Sequence, residues 1–302
     1  MIPSIDFQFT STDGLRVACT RWDCRQTARG VVQIAHGVGE HIGRYDGLIE
    51  VLVAAGLRVY GNDHRGHGRT ALSSAHFGDF GEGGFDLLVQ DMVRLSRIAK
   101  EENPGQLFVL LGHGMGSFAA QQYLLDHNRE VDALVLSGSG ALDRLVLSAS
   151  SATTWTKTLN SRFVPARTPV DWLSRDAASV DAYINDPLCF ATLQAEAFAS
   201  FLAAAPRLCD PMSLRNIRDD LPVYLFSGAE DPVGQQLEGV KTLIMRYENA
   251  GLYDISHEFY PGGRHEMLNE TNREEVREDL LGWISAVLAR LRDGWFKDPS
   301  IA

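Results

Sequence analysis

LFVLLGHGMGSFAA, residues 107–120, runs from an unbroken apolar stretch through Gly112-His113-Gly114-Met115-Gly116 and straight into a helical pattern. An apolar strand, a tight turn and an immediate helix form the setting of a nucleophile elbow, in which a serine stands at the centre of G-x-S-x-G. Glycines flank that centre because side chains there would collide with neighbouring backbone, and the central residue itself is held in a strained conformation. Here the centre is Gly114. An ordinary glycine-rich strand-to-helix turn has the same five-residue look, so the surroundings must decide the reading.

On the N-terminal side, FQFTSTDGLRVACTRW alternates apolar and polar residues about Asp13-Gly14, a dipeptide favoured in tight hairpin turns, and predicts an antiparallel hairpin at a sheet edge. VVQIAHG, LRVYGND, LFVLLGHG and ALVLSG then alternate with helical patterns near 44–56, 84–102 and 115–127. Further on come VYLFSG, a helix near 235–250, ISHEFYPGG and an amphipathic helix near 272–293. Such alternation implies an α/β fold, a mostly parallel central sheet with helices on both faces. Between Leu142 and Asn216 the pattern breaks into a proline-punctuated stretch with helical periodicity and no strand. Residues 142–216 therefore read as an inserted helical cap, or lid, on a core of 1–141 and 217–302. A chain of 302 residues, 45% of them hydrophobic, suits one domain with an insertion.

The formal net charge of -11 repels a phosphate backbone, which disfavours nucleic acid as a partner. MIPSIDFQF has neither a basic start nor a long apolar run, and no later run approaches the length of a membrane span, so a soluble, cytoplasmic protein is expected. Cys19, Cys24, Cys189 and Cys209 show no metal-ligand spacing and read as thiols in a reducing compartment, with a Cys19–Cys24 bridge the minor alternative. No nucleotide-binding glycine pattern appears, and neither cofactor nor metal is expected.

Chain order strengthens the elbow, because an acid and then a histidine should follow it, each just beyond a strand. Asp231 in VYLFSGAEDPV and His265 in EFYPGGRHEML fit those places. Taken singly, such an Asp is usually a turn or capping residue and such a His a packed or solvated one. The run IAHGVGEHIGRYD follows the first parallel strand, where one oxyanion-hole amide originates. The expected donors to a tetrahedral oxyanion are the backbone N–H groups of Val38 and Met115.

HGVGEHIGRY, NDHRGHGRT, GHGMGS, SGAEDPV and GGRHEMLNE resemble, in order and spacing, the motifs of the monoacylglycerol lipase and lysophospholipase branch of the α/β-hydrolases. NDPLCF resembles the Asp-Pro-Leu segment of that family's cap, and the likeness spans nearly the whole chain. It implies an α/β-hydrolase fold and carboxylic-ester hydrolysis by Ser-His-Asp chemistry on substrates with one acyl chain. The nucleophile position would be Gly114, the acid Asp231, the base His265 and the oxyanion amides Val38 and Met115. Glu40, Arg44, Tyr45 and the His64–Gly68 run would brace loops.

Gly114 has no hydroxyl, so nucleophilic catalysis through this position is impossible and the chain should be nearly inactive. Three readings stay open. The glycine is a replacement of serine in an otherwise active hydrolase; or the chain is a natural non-catalytic ligand-binding relative; or His265 and Asp231 act as a dyad that activates water or a substrate proton. Apolar residues recur at helical spacing in LCFATLQAEAFASFLAA, which suits either a helix over an acyl-chain pocket or ordinary packing of the cap. The expected partner is a small ester with an acyl chain, with transient contact with lipid aggregates neither required nor excluded.

Overall fold

In the computed structural model, which describes residues 2–146 and 151–294, alternate residues of the buried strands feed two separate apolar layers. The strands are β1 (Ser4–Thr10), β2 (Arg16–Trp22), β3 (Val31–Ala35), β4 (Arg58–Asn62), β5 (Phe108–His113), β6 (Ala133–Ser137), β7 (Val223–Gly228) and β8 (Ile255–Tyr260). They form one sheet in the order β1-β2-β4-β3-β5-β6-β7-β8. Only the pairings of β1 with β2 and of β2 with β4 are antiparallel. In β5, Phe108 and Leu110 face one layer and Val109 and Leu111 the other; in β7, Val223 and Leu225 oppose Tyr224 and Phe226. Burial on both faces explains why these strands read as continuous apolar runs.

The helices that cover them are α1 (Asp46–Ala54), α2 (Gly84–Glu101) and α3 (Met115–His127) in the first half. Between β6 and β7 the described residues hold no strand, only helices joined by irregular stretches: α4 (Leu142–Val146), α5 (Ala152–Asn160), α6 (Ala177–Asn185), α7 (Ala195–Leu202), α8 (Ala205–Cys209) and α9 (Pro211–Leu214). α10 (Glu238–Ala250) and α11 (Arg273–Arg292) complete the set. Of the expected cap, 147–150 lie outside the described residues, as do residue 1 and 295–302 of the expected core. No helix among the described residues is long and apolar enough to cross a membrane.

The expected edge hairpin forms about Asp13-Gly14, its turn a three-residue loop, Thr12–Gly14, closed by Ser11 N–H donating to Leu15 O (2.8 Å) and Gly14 N–H to Ser11 O (3.0 Å). Gly14 takes the left-handed conformation (φ 89°) that such a loop needs after its first turn. The helix expected from 235 starts at Glu238, because Gln235, Gln236 and Leu237 all have positive φ.

The elbow shows why its flanking residues are glycine. A Cβ on Gly112 would lie 2.5 Å from Gly116 O, and one on Gly116 would lie 2.2 Å from Ala35 O. α3 thus approaches β5 at Gly112 and β3 at Gly116 too closely for a side chain at either position. Gly114, between them, has φ 52° and ψ -121° and is the residue from which α3 starts.

Candidate active site

The carboxyl ends of β3, β5, β7 and β8 bring five sequence-predicted residues to one place, the end of an open α/β sheet where ligands bind. Asp231 lies in the loop after β7, fully buried, with Oδ1 accepting from Val233 N–H at 2.9 Å. His265, beyond β8, is also buried, and its Nδ1 is 3.0 Å and 3.1 Å from the two carboxylate oxygens of Asp231. The carboxylate accepts, so Nδ1 carries the proton and Nε2 is left with a free lone pair. That nitrogen faces the elbow: a Cβ built on Gly114 would stand 3.1 Å from it.

Burial disfavours the charged form of His265, but the adjacent Asp231 carboxylate outweighs it and raises the pKa above the ordinary histidine value. The opposite holds for His113, whose ring centroid is 4.7 Å from that of His265. Burial first, and then the His265 charge, push its pKa down to about 3, so it stays neutral, its Nδ1 within 3.1 Å of Ser137 Oγ. Room for the His265 ring comes from Gly138, where a Cβ would lie 2.8 Å from its Cε1. Gly138 was hidden in the sequence as the end of a strand.

Val38 and Met115 line the same narrow cavity as Gly114 and His265. Among the described residues neither the Val38 nor the Met115 backbone N–H has a hydrogen-bond partner in the protein. The loop bearing Val38 is braced by Glu40, which accepts from Gly37 N–H (2.5 Å), Tyr45 O–H (2.6 Å) and Arg44 Nε (3.3 Å). Arg44 also reaches Glu266 at 2.5 Å, tying this loop to the residue next to His265. Glu40, Arg44 and Tyr45 therefore stand in the loop-fixing places expected of them, whereas Glu266 gave no signal in sequence.

The histidines of NDHRGHGRT do not line the cavity. His36 accepts from His64 N–H through Nε2 (2.9 Å) and donates from Nδ1 to Gly37 O (2.8 Å), with His64 and His67 packed against its ring. All three are buried, and burial drives their pKa values down, His67 to about 3.

The rest of the cavity wall is apolar or aromatic: Phe118 of α3, Val233, and Trp155, Trp172, Leu193 and Phe201 of the β6–β7 segment. Among the residues that line it, none carries a hydroxyl or thiol. Ser117, the nearest serine in sequence, is turned away and donates to Gly114 O at 2.6 Å. A larger open groove, lined by Arg25, Arg29 and Glu50, lies at the amino ends of the strands, away from the His–Asp pair.

His41, Asp186 and Cys189 form the one metal-like group among the described residues, with ligand atoms within 4.8 Å of one another. His41 Nδ1 accepts from Gly43 N–H (3.2 Å), which puts the ring proton on Nε2, where it donates to Asp186 (2.9 Å). Metal-bound histidine has the reverse arrangement, donating from its other nitrogen, so this trio is a clasp between the β3–α1 loop and the β6–β7 segment.

Comparison with known proteins follows the same lines. The Hydrolase_4 family, described as serine aminopeptidase, S33, matches residues 26–272. A monoacylglycerol lipase of Mycolicibacterium smegmatis is 31% identical over 92% of this chain and 96% of its own length. The human monoglyceride lipase is 26% identical over 91% and 88% respectively. Among solved structures, a thermostable carboxyl esterase from Bacillus coagulans superposes with a TM-score of 0.86 at 29% identity, covering 95% of this chain and all of its own.

Proposed function

The chain belongs to the Hydrolase_4 family of α/β-hydrolases, described as serine aminopeptidase, S33, and from that membership we propose that it is a carboxylic-ester hydrolase whose nucleophile position holds Gly114. The observation that carries the reading is the 3.1 Å between His265 Nε2 and the Cβ position at residue 114. A serine there would place its hydroxyl within reach of a histidine already oriented by Asp231. His265 would take the hydroxyl proton, Asp231 would stabilise the imidazolium, and the acyl-enzyme would then be hydrolysed by water. The amides of Val38 and Met115 would hold the negative oxygen of the tetrahedral intermediate. Residues 142–216 would serve as the cap, laying their aromatic side chains over an acyl chain in a largely apolar site.

With glycine at 114 this sequence of bonds cannot begin, and the chain should bind an ester and scarcely turn it over. Replacing Gly114→Ser and assaying both forms on p-nitrophenyl esters of graded length and on a monoacylglycerol tests the reading. A rise of roughly a thousandfold or more, abolished by His265→Ala in the serine background, is expected. If the serine form gains nothing while still folded, the hydrolase reading fails. If instead the glycine form already turns over ester through His265, the pair acts directly on water.

A further inference from the structure

Two tryptophans stand in the cavity wall, and each buries its indole N–H without a partner among the described residues. An indole offers a donor and no acceptor, and native proteins rarely leave such a donor unpaired. Trp155 sits among rings, 5.5 Å from Phe198 and 6.2 Å from Phe201 between centroids. The setting of Trp172 is different: its ring packs on His265, at a centroid distance of 4.9 Å.

Backbone bonds fix that pairing. His265 N–H donates to Trp172 O (3.4 Å), and Glu266 N–H donates to Leu173 O (2.7 Å). Arg264 Nη1 donates to Asp171 O (2.5 Å) and Ser174 O (3.1 Å), so the 171–174 strip is laced to the histidine loop. Trp172 therefore keeps its place beside His265 even though it belongs to a distant part of the chain.

We propose that Trp172 determines specificity for the alcohol half of the substrate, its Nε1–H donating to an oxygen carried by that half. The inference rests on the ester-hydrolase reading, since a histidine of that role returns its proton to the leaving alkoxide and so has the alcohol half against its ring. A purely hydrocarbon alcohol leaves the Trp172 N–H unpaired. An alcohol bearing a free hydroxyl or ether oxygen supplies the acceptor, while Phe118, Phe201 and Trp155 offer the apolar surface for the acyl half.

The kinetic test compares Gly114→Ser with Gly114→Ser/Trp172→Phe on glyceryl monodecanoate and ethyl decanoate. The ratio of the two kcat/KM values, glyceryl over ethyl, should fall roughly tenfold with Phe, the order expected for one buried hydrogen bond. An unchanged ratio overturns the proposal, because a wall that merely packs on His265 affects both esters alike. A second arm needs no hydrolysis: calorimetric binding of 1-O-octylglycerol and ethyl octyl ether to the chain with Gly114, with and without Trp172→Phe. Selective weakening of the glycerol ether, again roughly tenfold, supports the assignment even if the serine form proves inert on all esters. Equal weakening of both ethers, no weakening, or binding of neither overturns it.

Discussion

Nδ1 of His265 lies 3.0 Å from Oδ2 of Asp231 in a pocket where the carboxylate is sealed from water and the imidazole nearly so. Burial disfavours the charged ring, but the Asp231 carboxylate, with Glu266 and Glu40 adding to it, outweighs burial and raises the pKa above the ordinary histidine value. In the Gly114→Ser form, with neutral His265 as the proposed base, the rate should rise with pH along a limb centred above the ordinary histidine value of about 6.5. Asp231→Asn should lower that midpoint and reduce kcat by roughly 10⁴-fold. The same coupling bears on stability. A raised folded-state value contributes fully below about pH 6.5 and fades as pH climbs through it, so the Asp231→Asn deficit should shrink in alkali. A limb that does not move on Asp231→Asn would separate the carboxylate from the titration.

Gly114 combines φ 52° with a Cβ position only 3.1 Å from His265 Nε2. A serine must accept both the left-handed backbone and a tight approach to a ring fixed by Asp231. Gly114→Ser should therefore lower unfolding free energy by on the order of 1–3 kcal/mol, read from matched urea titrations. An equal or more stable serine form would mean that the elbow relaxes to accommodate it.

Much of this arrangement was written locally. The apolar runs of β3, β5, β6 and β7 are long and unbroken because both sheet faces are covered, and Gly112 and Gly116 mark where α3 lies against β5 and β3. The order elbow, Asp231, His265 follows from the parallel topology, in which each loop emerges at the same end of the sheet. Trp172 was not legible, because it lies in the irregular stretch between α5 and α6, where no periodicity marks a buried face. Glu266 and Gly138 were missed for a related reason: one acts through Arg44 from a distant loop, the other by lacking a side chain beside His265. Nor do Gln235, Gln236 and Leu237 advertise positive φ, since nothing in those side chains favours it.

Arg44 is the only cation paired with Glu40 and Glu266 among the described residues, and all three side chains are at most 8% exposed. Removing the guanidinium leaves two buried carboxylates with neutral hydrogen-bond donors but no countercharge, a larger loss than the pairing itself is worth. Arg44→Ala should destabilise the fold by about 3–5 kcal/mol by urea titration. The triple variant Glu40→Gln, Arg44→Met, Glu266→Gln should recover much of that deficit. If Arg44→Ala costs no more than an exposed ion pair, the network is not what holds the Val38 loop to the His265 loop.

Acid stability should be governed by the histidines under the same loop. His67 is buried, donates from Nδ1 to Arg65 O at 3.0 Å and titrates near 3 because burial, and then the neighbouring His36 charge, oppose its protonation. The unfolded chain accepts that proton near the ordinary value of about 6.5. Stability linked to His67 is therefore intact above about pH 6.5 and is lost as pH falls from there toward 3. Within that window a single site of this kind tilts unfolding free energy by up to about 1.4 kcal/mol per pH unit. His36 and His64, lowered in the same direction, add to the slope. His67→Gln should weaken the fold at neutral pH by removing well-packed contacts, yet flatten the decline between pH 6 and 4.5 by close to one proton. Urea titrations at several pH values read that slope directly, and parallel declines for the two proteins would show that His67 takes up its proton while still folded.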